Sequence, residues 1–243
     1  MGQMSDKVVL VTGASRGIGR RIALAMASER ASVILAARNL EGLQRAATEI
    51  QNSGGTACAI ATDVTKESDV GNLFDQVVSR HGKLDVLVNN AGLVEGGPID
   101  QISCEVWDRV IATNVRGPFL CTREAMRIMK RQRGGRIINI GSISAQRPRI
   151  NSSAYSVSKF AIDGLTRCTA LEGREYGISA SCLHPGNVRV EVPASAELSP
   201  PTEPTMDIEA VARTVVLIAS LPPGMNMLET ILLPVGQPYL GRG

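Results

Sequence analysis

From residue 7 to residue 183 the chain alternates short apolar runs with longer amphipathic stretches, and this alternation restricts its fold more than any other feature. The runs at 7–12, 32–37, 56–61, 84–88, 136–140 and 178–183 are dense in Val, Ile, Leu and Ala and read as strands. The stretches near 17–29, 40–52, 66–80, 103–114, 117–131, 154–176 and 208–220 carry helical periodicity. Strands that are apolar throughout need cover on both faces, which parallel sheets obtain from their crossover helices. Right-handed crossovers then place helices on either side of one sheet. The expectation is an α/β fold: a single domain over 1–243, built on a doubly wound parallel sheet of about seven strands.

Composition supports this and excludes other classes. Apolar residues make up 44% of the chain but aromatics only 3%, so the core is built from small aliphatic side chains. The net charge of +3 is spread along the chain and gives no reason to expect nucleic acid or a membrane surface as partner. No apolar run approaches the roughly 20 residues that span a bilayer. The chain reaches its first strand by Val8, with no signal peptide expected ahead of it. Cys58, Cys104, Cys121, Cys168 and Cys182 are widely spaced and form no CxxC pair, which fits reduced thiols in the cytoplasm. His81 and His184 have no ligand-type cluster beside them in sequence, so no metal site is expected.

The first strand–helix junction reads Thr12-Gly-Ala-Ser-Arg-Gly-Ile-Gly19. A glycine loop between a strand and a helix N-terminus suits a pyrophosphate: Gly13 permits the tight turn, and Gly17 and Gly19 permit close approach. At the end of the second strand an NAD site carries an acid for the ribose 2′-hydroxyl. Here the chain reads Ala36-Ala37-Arg38-Asn39, with no carboxylate before Glu41. Arg38, with Arg16 in the glycine loop, suits a 2′-phosphate, so NADP(H) is favoured over NAD(H).

Tyr155 and Lys159 stand four apart, on one face of a helix. An ammonium beside a phenol favours the phenolate, which makes the pair a plausible proton donor and acceptor. Ser142, thirteen residues upstream of Tyr155, ends the fifth strand. Its hydroxyl and that of Tyr155 can address one substrate oxygen and stabilise charge developing there.

The TGxxxGxG spacing resembles the short-chain dehydrogenase/reductase family, and the resemblance extends over nearly the whole chain, with a Rossmann-like fold. Asn89-Asn-Ala-Gly92 is similar to the family's NNAG motif, and Pro185-Gly186 to its PG turn near the nicotinamide. Carried over residue by residue, the resemblance implies cofactor contacts from Gly13, Ser15, Arg16, Gly17, Ile18, Gly19 and Arg38. It adds Asp63 on the adenine amino group, Val64 beside the ring, and Asn90, Ala91, Gly92, Tyr155, Lys159, Pro185, Gly186 and Val188. It implies a catalytic group of Asn114, Ser142, Tyr155 and Lys159, in which Asn114 marks a helix irregularity whose carbonyl holds a proton-relaying water. Val190 stands where the family often has a threonine that bonds the cofactor.

The activity implied is NADP(H)-dependent interconversion of a carbonyl and a secondary alcohol on a small molecule, in a homo-oligomer (tetramer or dimer). An alternative is a 3-oxoacyl-carrier-protein reductase, with the basic run Arg123, Arg127, Lys130, Arg131, Arg133 and Arg136 as docking patch. A non-catalytic NADP(H)-binding sensor is a third reading. The proline-rich stretch 192–206 breaks the alternation after the sixth strand, and a substrate lid is expected over 190–206.

Overall fold

The structure, a computed structural model, describes residues 2–189 and 203–240. Strand β1 (Val8–Thr12) leads through the glycine loop into α1 (Gly17–Ser28). β2 (Ser32–Ala37), α2 (Leu40–Asn52), β3 (Thr56–Ala61) and α3 (Glu67–His81) follow, then β4 (Val86–Asn89). After β4 come α4 (Cys104–Ile111), a π-helical turn (Ala112–Arg116) and α5 (Gly117–Gln132). β5 (Gly135–Ile140) precedes the long α6 (Ser153–Gly173), and β6 (Ile178–Pro185) follows it. Two short strands, β7 (Val188–Arg189) and β8 (Met206–Asp207), pair with each other; α7 (Ile208–Ser220) and β9 (Glu229–Leu232) complete the order.

Seven of these strands form one parallel sheet in the order β3-β2-β1-β4-β5-β6-β9. The strand order reverses between β1 and β4, and ligands bind outside the carboxyl ends of strands at such a point. Side chains alternate across each strand, so β1 feeds two cores. Val9 and Val11 join Val33, Leu35, Ile22, Met26, Leu43 and Val215 on the face covered by α1, α2 and α7. Val8 and Leu10 join Ile34, Leu73, Phe74, Leu87, Met129 and Ile137 on the face covered by α3 and α5. Each fully buried aliphatic side chain contributes about 1.5–3 kcal/mol.

The helix starts follow local chemistry. Asn39 caps α2 by accepting from the Gly42 amide at 3.0 Å, and Asp207 caps α7 by accepting from Glu209 at 2.8 Å. One feature departs from expectation. The stretches 103–114 and 117–131 are one continuous helical run, joined by the π turn instead of a break. Asp63 lies two residues beyond β3. Of the expected lid at 190–206, residues 190–202, Val190 among them, fall outside the described residues.

Candidate active site

The glycine loop is held from below. The Thr12 hydroxyl accepts the amides of Asn90 (3.0 Å) and Ala91 (3.1 Å), and donates to Val88. The Asn90 side chain donates to the carbonyls of Thr12 (3.0 Å) and Gly13 (3.3 Å). Two motifs far apart in sequence thus lock each other at the switch point. Gly13 has φ +67, and a Cβ there would stand 2.8 Å from the Ala91 Cα. At Gly19 a Cβ would meet the Asn90 amide at 2.3 Å and the Gly13 carbonyl at 2.4 Å. Only glycine admits this approach of loop, helix and β4.

The N-terminus of α1 is left open. Arg16, its N-cap, makes no side-chain cap bond, and the first turn holds no acid. Among the described residues no side chain caps its amides, and its positive dipole end suits an anion. Arg16 and Arg38 are exposed, and no carboxylate lies within ion-pair distance of either among the described residues. Asp63 accepts the Thr65 hydroxyl at 2.7 Å and its amide at 3.0 Å. Burial pushes this carboxyl up, but the Thr65 bonds and the charges of Arg38 and Lys66 hold it below the ordinary range.

At the ends of β4 and β5 the second half of the site assembles. Asn114, in the π turn, is buried; its Oδ1 accepts from the Leu93 amide at 2.7 Å. Its Nδ2 donates to the Leu93 carbonyl at 2.9 Å and to Ser158 Oγ at 3.0 Å. Asn114 therefore ties the segment following Gly92 to α6. On α6, Lys159 is buried, donates to the Ile140 carbonyl at 2.8 Å, and lies 5.5 Å from the centre of the Tyr155 ring. Ser142 stands two residues past Ile140; its Oγ accepts from the Ser144 amide at 3.1 Å.

A buried polar ladder fixes α6 against the sheet. Asn89 donates to Asn139 (2.9 Å) and Thr122 (3.1 Å), and Asn139 donates to Thr166 (2.8 Å). On the far side, the Gln237 side chain accepts the Asn187 amide at 2.8 Å and packs against Gly186, so the C-terminal segment holds the Pro185-Gly186 turn. Val188 lies in β7 and packs on the core. Thr12, Gln237 and the Asn89–Asn139–Thr166 ladder escape sequence reading because their partners are distant. The repeated Asn in Asn89-Asn90 was the available signal for the first.

Arg149 bonds Asn187 (2.6 Å) and Glu203 (3.3 Å), and Arg147 lies over the Tyr239 ring. The basic run divides: Arg123 pairs with Glu67 and Glu124, Arg127 with Glu124, Lys130 and Arg133 stack on Tyr176, and Arg136 is buried against the carbonyls of Leu221 and Met225. His184, beside which the sequence shows no ligand-type cluster, lies with Asp163 and Cys182 so that side-chain atoms of all three fall within 4.8 Å.

Comparison with known proteins places the chain. The pattern of the family described as short chain dehydrogenase matches residues 7–200. A short-chain type dehydrogenase/reductase of Picea abies is 38% identical over 235 residues, covering 89% of this chain and 87% of the relative. Among solved structures, a metagenomic short-chain oxidoreductase in complex with NADP superposes with a TM-score of 0.85 at 32% identity, covering 96% of this chain and 98% of the other. A single-residue variant of the actinorhodin polyketide ketoreductase, with NADPH, gives a TM-score of 0.87 at 31% identity, again covering 96% and 98%. The chain belongs to the short-chain dehydrogenase/reductase family, an oxidoreductase family, and its seven-stranded parallel sheet is the fold of those structures.

Proposed function

We propose that the chain interconverts a carbonyl and a secondary alcohol, using NADP(H), with Tyr155 as general acid and base. The observation that carries this reading is Lys159, whose buried ammonium reaches both the strand end leading to Ser142 and the Tyr155 ring. The open α1 N-terminus and the glycine cradle fit a dinucleotide pyrophosphate, and the exposed Arg16 and Arg38 fit a 2′-phosphate. NADP-bound and NADPH-bound neighbours support the same cofactor. Bound there, the cofactor supplies the hydride.

The chain's own residues handle the oxygen. Tyr155 gives its proton to the carbonyl oxygen as charge develops, and Ser142 donates a hydrogen bond to the same atom. Lys159 holds positive charge beside the phenol. Asn114 fixes Leu93 and Ser158, and so keeps the wall of the pocket and α6 in register. In the oxidative direction Tyr155 receives the proton.

The ketoreductase neighbour favours a second reading, a carrier-linked 3-oxoacyl substrate, although the division of the basic run among ion pairs and ring contacts works against one docking patch. All five cysteines are free thiols, which supports a cytoplasmic site of action, and no helix among the described residues is long and apolar enough to cross a membrane. A panel of ketones, aldehydes and 3-oxoacyl thioesters, followed by NADPH absorbance, tests the proposal. Turnover of free ketones is expected; a strong preference for carrier-linked thioesters supports the second reading, and NADPH binding without turnover of any member overturns both.

A further inference from the structure

The proposed chemistry leaves a buried imidazole unused. His184 on β6 is 0% exposed, directly behind Ser142. The β5–β6 ladder ends where the Gly141 amide bonds the Leu183 carbonyl at 2.7 Å. At the next residue the His184 ring replaces the strand: its Nδ1 lies 2.9 Å from the Ser142 carbonyl oxygen and 3.3 Å from the Ser142 amide. The shorter contact, to an oxygen, requires Nδ1 to carry a proton. Gly141 lets the ring close on this peptide, since a Cβ there would stand 2.6 Å from Nδ1.

The other edge of the ring is braced by charge. Among the described residues Nε2 is buried without a hydrogen-bond partner, and it faces Asp163 Oδ1 at 3.9 Å and Glu229 Oε1 at 3.8 Å. Arg167 takes the outer oxygens of both acids, at 3.0 Å and 2.8 Å, and Gln146 donates to Glu229. Lys159, one turn before Asp163 on α6, and the Cys182 thiol on β6 complete the ionisable surroundings. A proton on Nδ1 satisfies the Ser142 carbonyl at one edge of the ring, and the other edge faces two carboxylates. Burying an imidazole here costs desolvation that an apolar side chain avoids, so the polar edge has a use beyond filling space.

We propose that His184 is a positioning residue for carbonyl reduction: its Nδ1–H holds the Ser142 carbonyl and so sets the direction of Ser142 Oγ, while Asp163 and Glu229 steady the ring. The inference rests on the roles given above to Ser142 and Tyr155. A displacement of about 1 Å can cost about 100-fold in rate. His184→Leu is therefore expected to lower kcat by about 10–100-fold, with NADPH binding unchanged within about twofold.

His184→Asn keeps a side-chain N–H at the place of Nδ1 and is expected to recover most of that loss, whereas His184→Gln, which mimics the other nitrogen, is not. Ser142→Ala combined with His184→Leu is expected to be no slower than Ser142→Ala alone, because His184 acts through Ser142. Additive losses, or equal activity of the Asn and Gln variants, overturn the proposal; the Asn–Gln comparison stands even where the Leu variant fails to fold. Tyr155→Phe, measured in parallel, separates the two layers. Retained turnover in that variant removes the underlying reading, whereas an inactive Tyr155→Phe beside a fully active His184→Leu removes only the positioning role.

Discussion

In the proposed reading, the exposed guanidinium of Arg38, with Arg16, carries the choice of cofactor. It follows β2 at the place where an acid would select a ribose hydroxyl, and its charge is felt by Asp63. Arg38→Asp is expected to reduce the NADP over NAD ratio of kcat/KM by at least about 10-fold, the effect of about 1.4 kcal/mol; an unmoved ratio in matched assays contradicts the assignment. Asp63 gives a pH prediction. Its folded carboxyl is held below its unfolded value, so its contribution to stability is present at neutral pH and fades as pH falls through the folded value. Asp63→Asn is expected to flatten the acid limb of a thermal-melt series below about pH 4, and an unchanged limb argues against the Thr65 and Arg38 interactions. Burial pushes the thiols of Cys121 and Cys182 up to about 12, whereas Cys104 and Cys168 are exposed. Alkylation of the native chain near pH 8 is expected at the exposed pair first, since the thiolate is the reacting form. Rapid labelling of Cys182 in the folded protein contradicts the packing around it.

Among the elements, α6 matters most, because it bears Tyr155 and Lys159. It is fixed to the sheet by the Asn89–Asn139–Thr166 ladder as well as by apolar contacts. Asn139→Ala removes one buried bond from Asn89 and one from Thr166, which keep their bonds to Thr122 and the Ile162 carbonyl, and is expected to cost about 1–3 kcal/mol in urea unfolding; a neutral result shows that water replaces the amide. Several elements were legible from residues alone. The bounds of β2, α2, β3 and α7 match the apolar periods because Asn39 and Asp207 cap their helices. The region after β4 was less legible. Gly117 and Pro118 look like a fresh helix start, yet the chain keeps its hydrogen bonding through a π turn. The π turn is only five residues long, too short for a local change of period to stand out in the sequence.

For the molecule as a whole, the glycine loop after β1 was readable because each of its glycines has a backbone reason. The partners that brace the site were not, since Thr12 meets Asn90, Asn114 meets Leu93, and Gln237 meets Asn187 only through the sheet order. One outer face remains to be covered. Val157, Phe160 (50% exposed) and Leu171 (64% exposed) form an apolar stripe along α6, with Gly164 between them, and Phe119 is exposed on α5. Exposed apolar surface of this kind marks association, and we infer a homo-oligomer through α5 and α6. Sedimentation velocity is expected to show an assembly that Phe160→Glu shifts toward monomer; a monomeric native chain contradicts it.

The central claim is that Tyr155 transfers the proton in a carbonyl reduction supported by NADPH. Removal of its hydroxyl tests this most directly, through kcat for ketone reduction measured beside NADPH affinity in Tyr155→Phe. The account predicts NADPH binding within about twofold of the native chain and a kcat lowered by at least about 100-fold, the scale of general acid catalysis. A Tyr155→Phe enzyme that keeps kcat within about tenfold contradicts it.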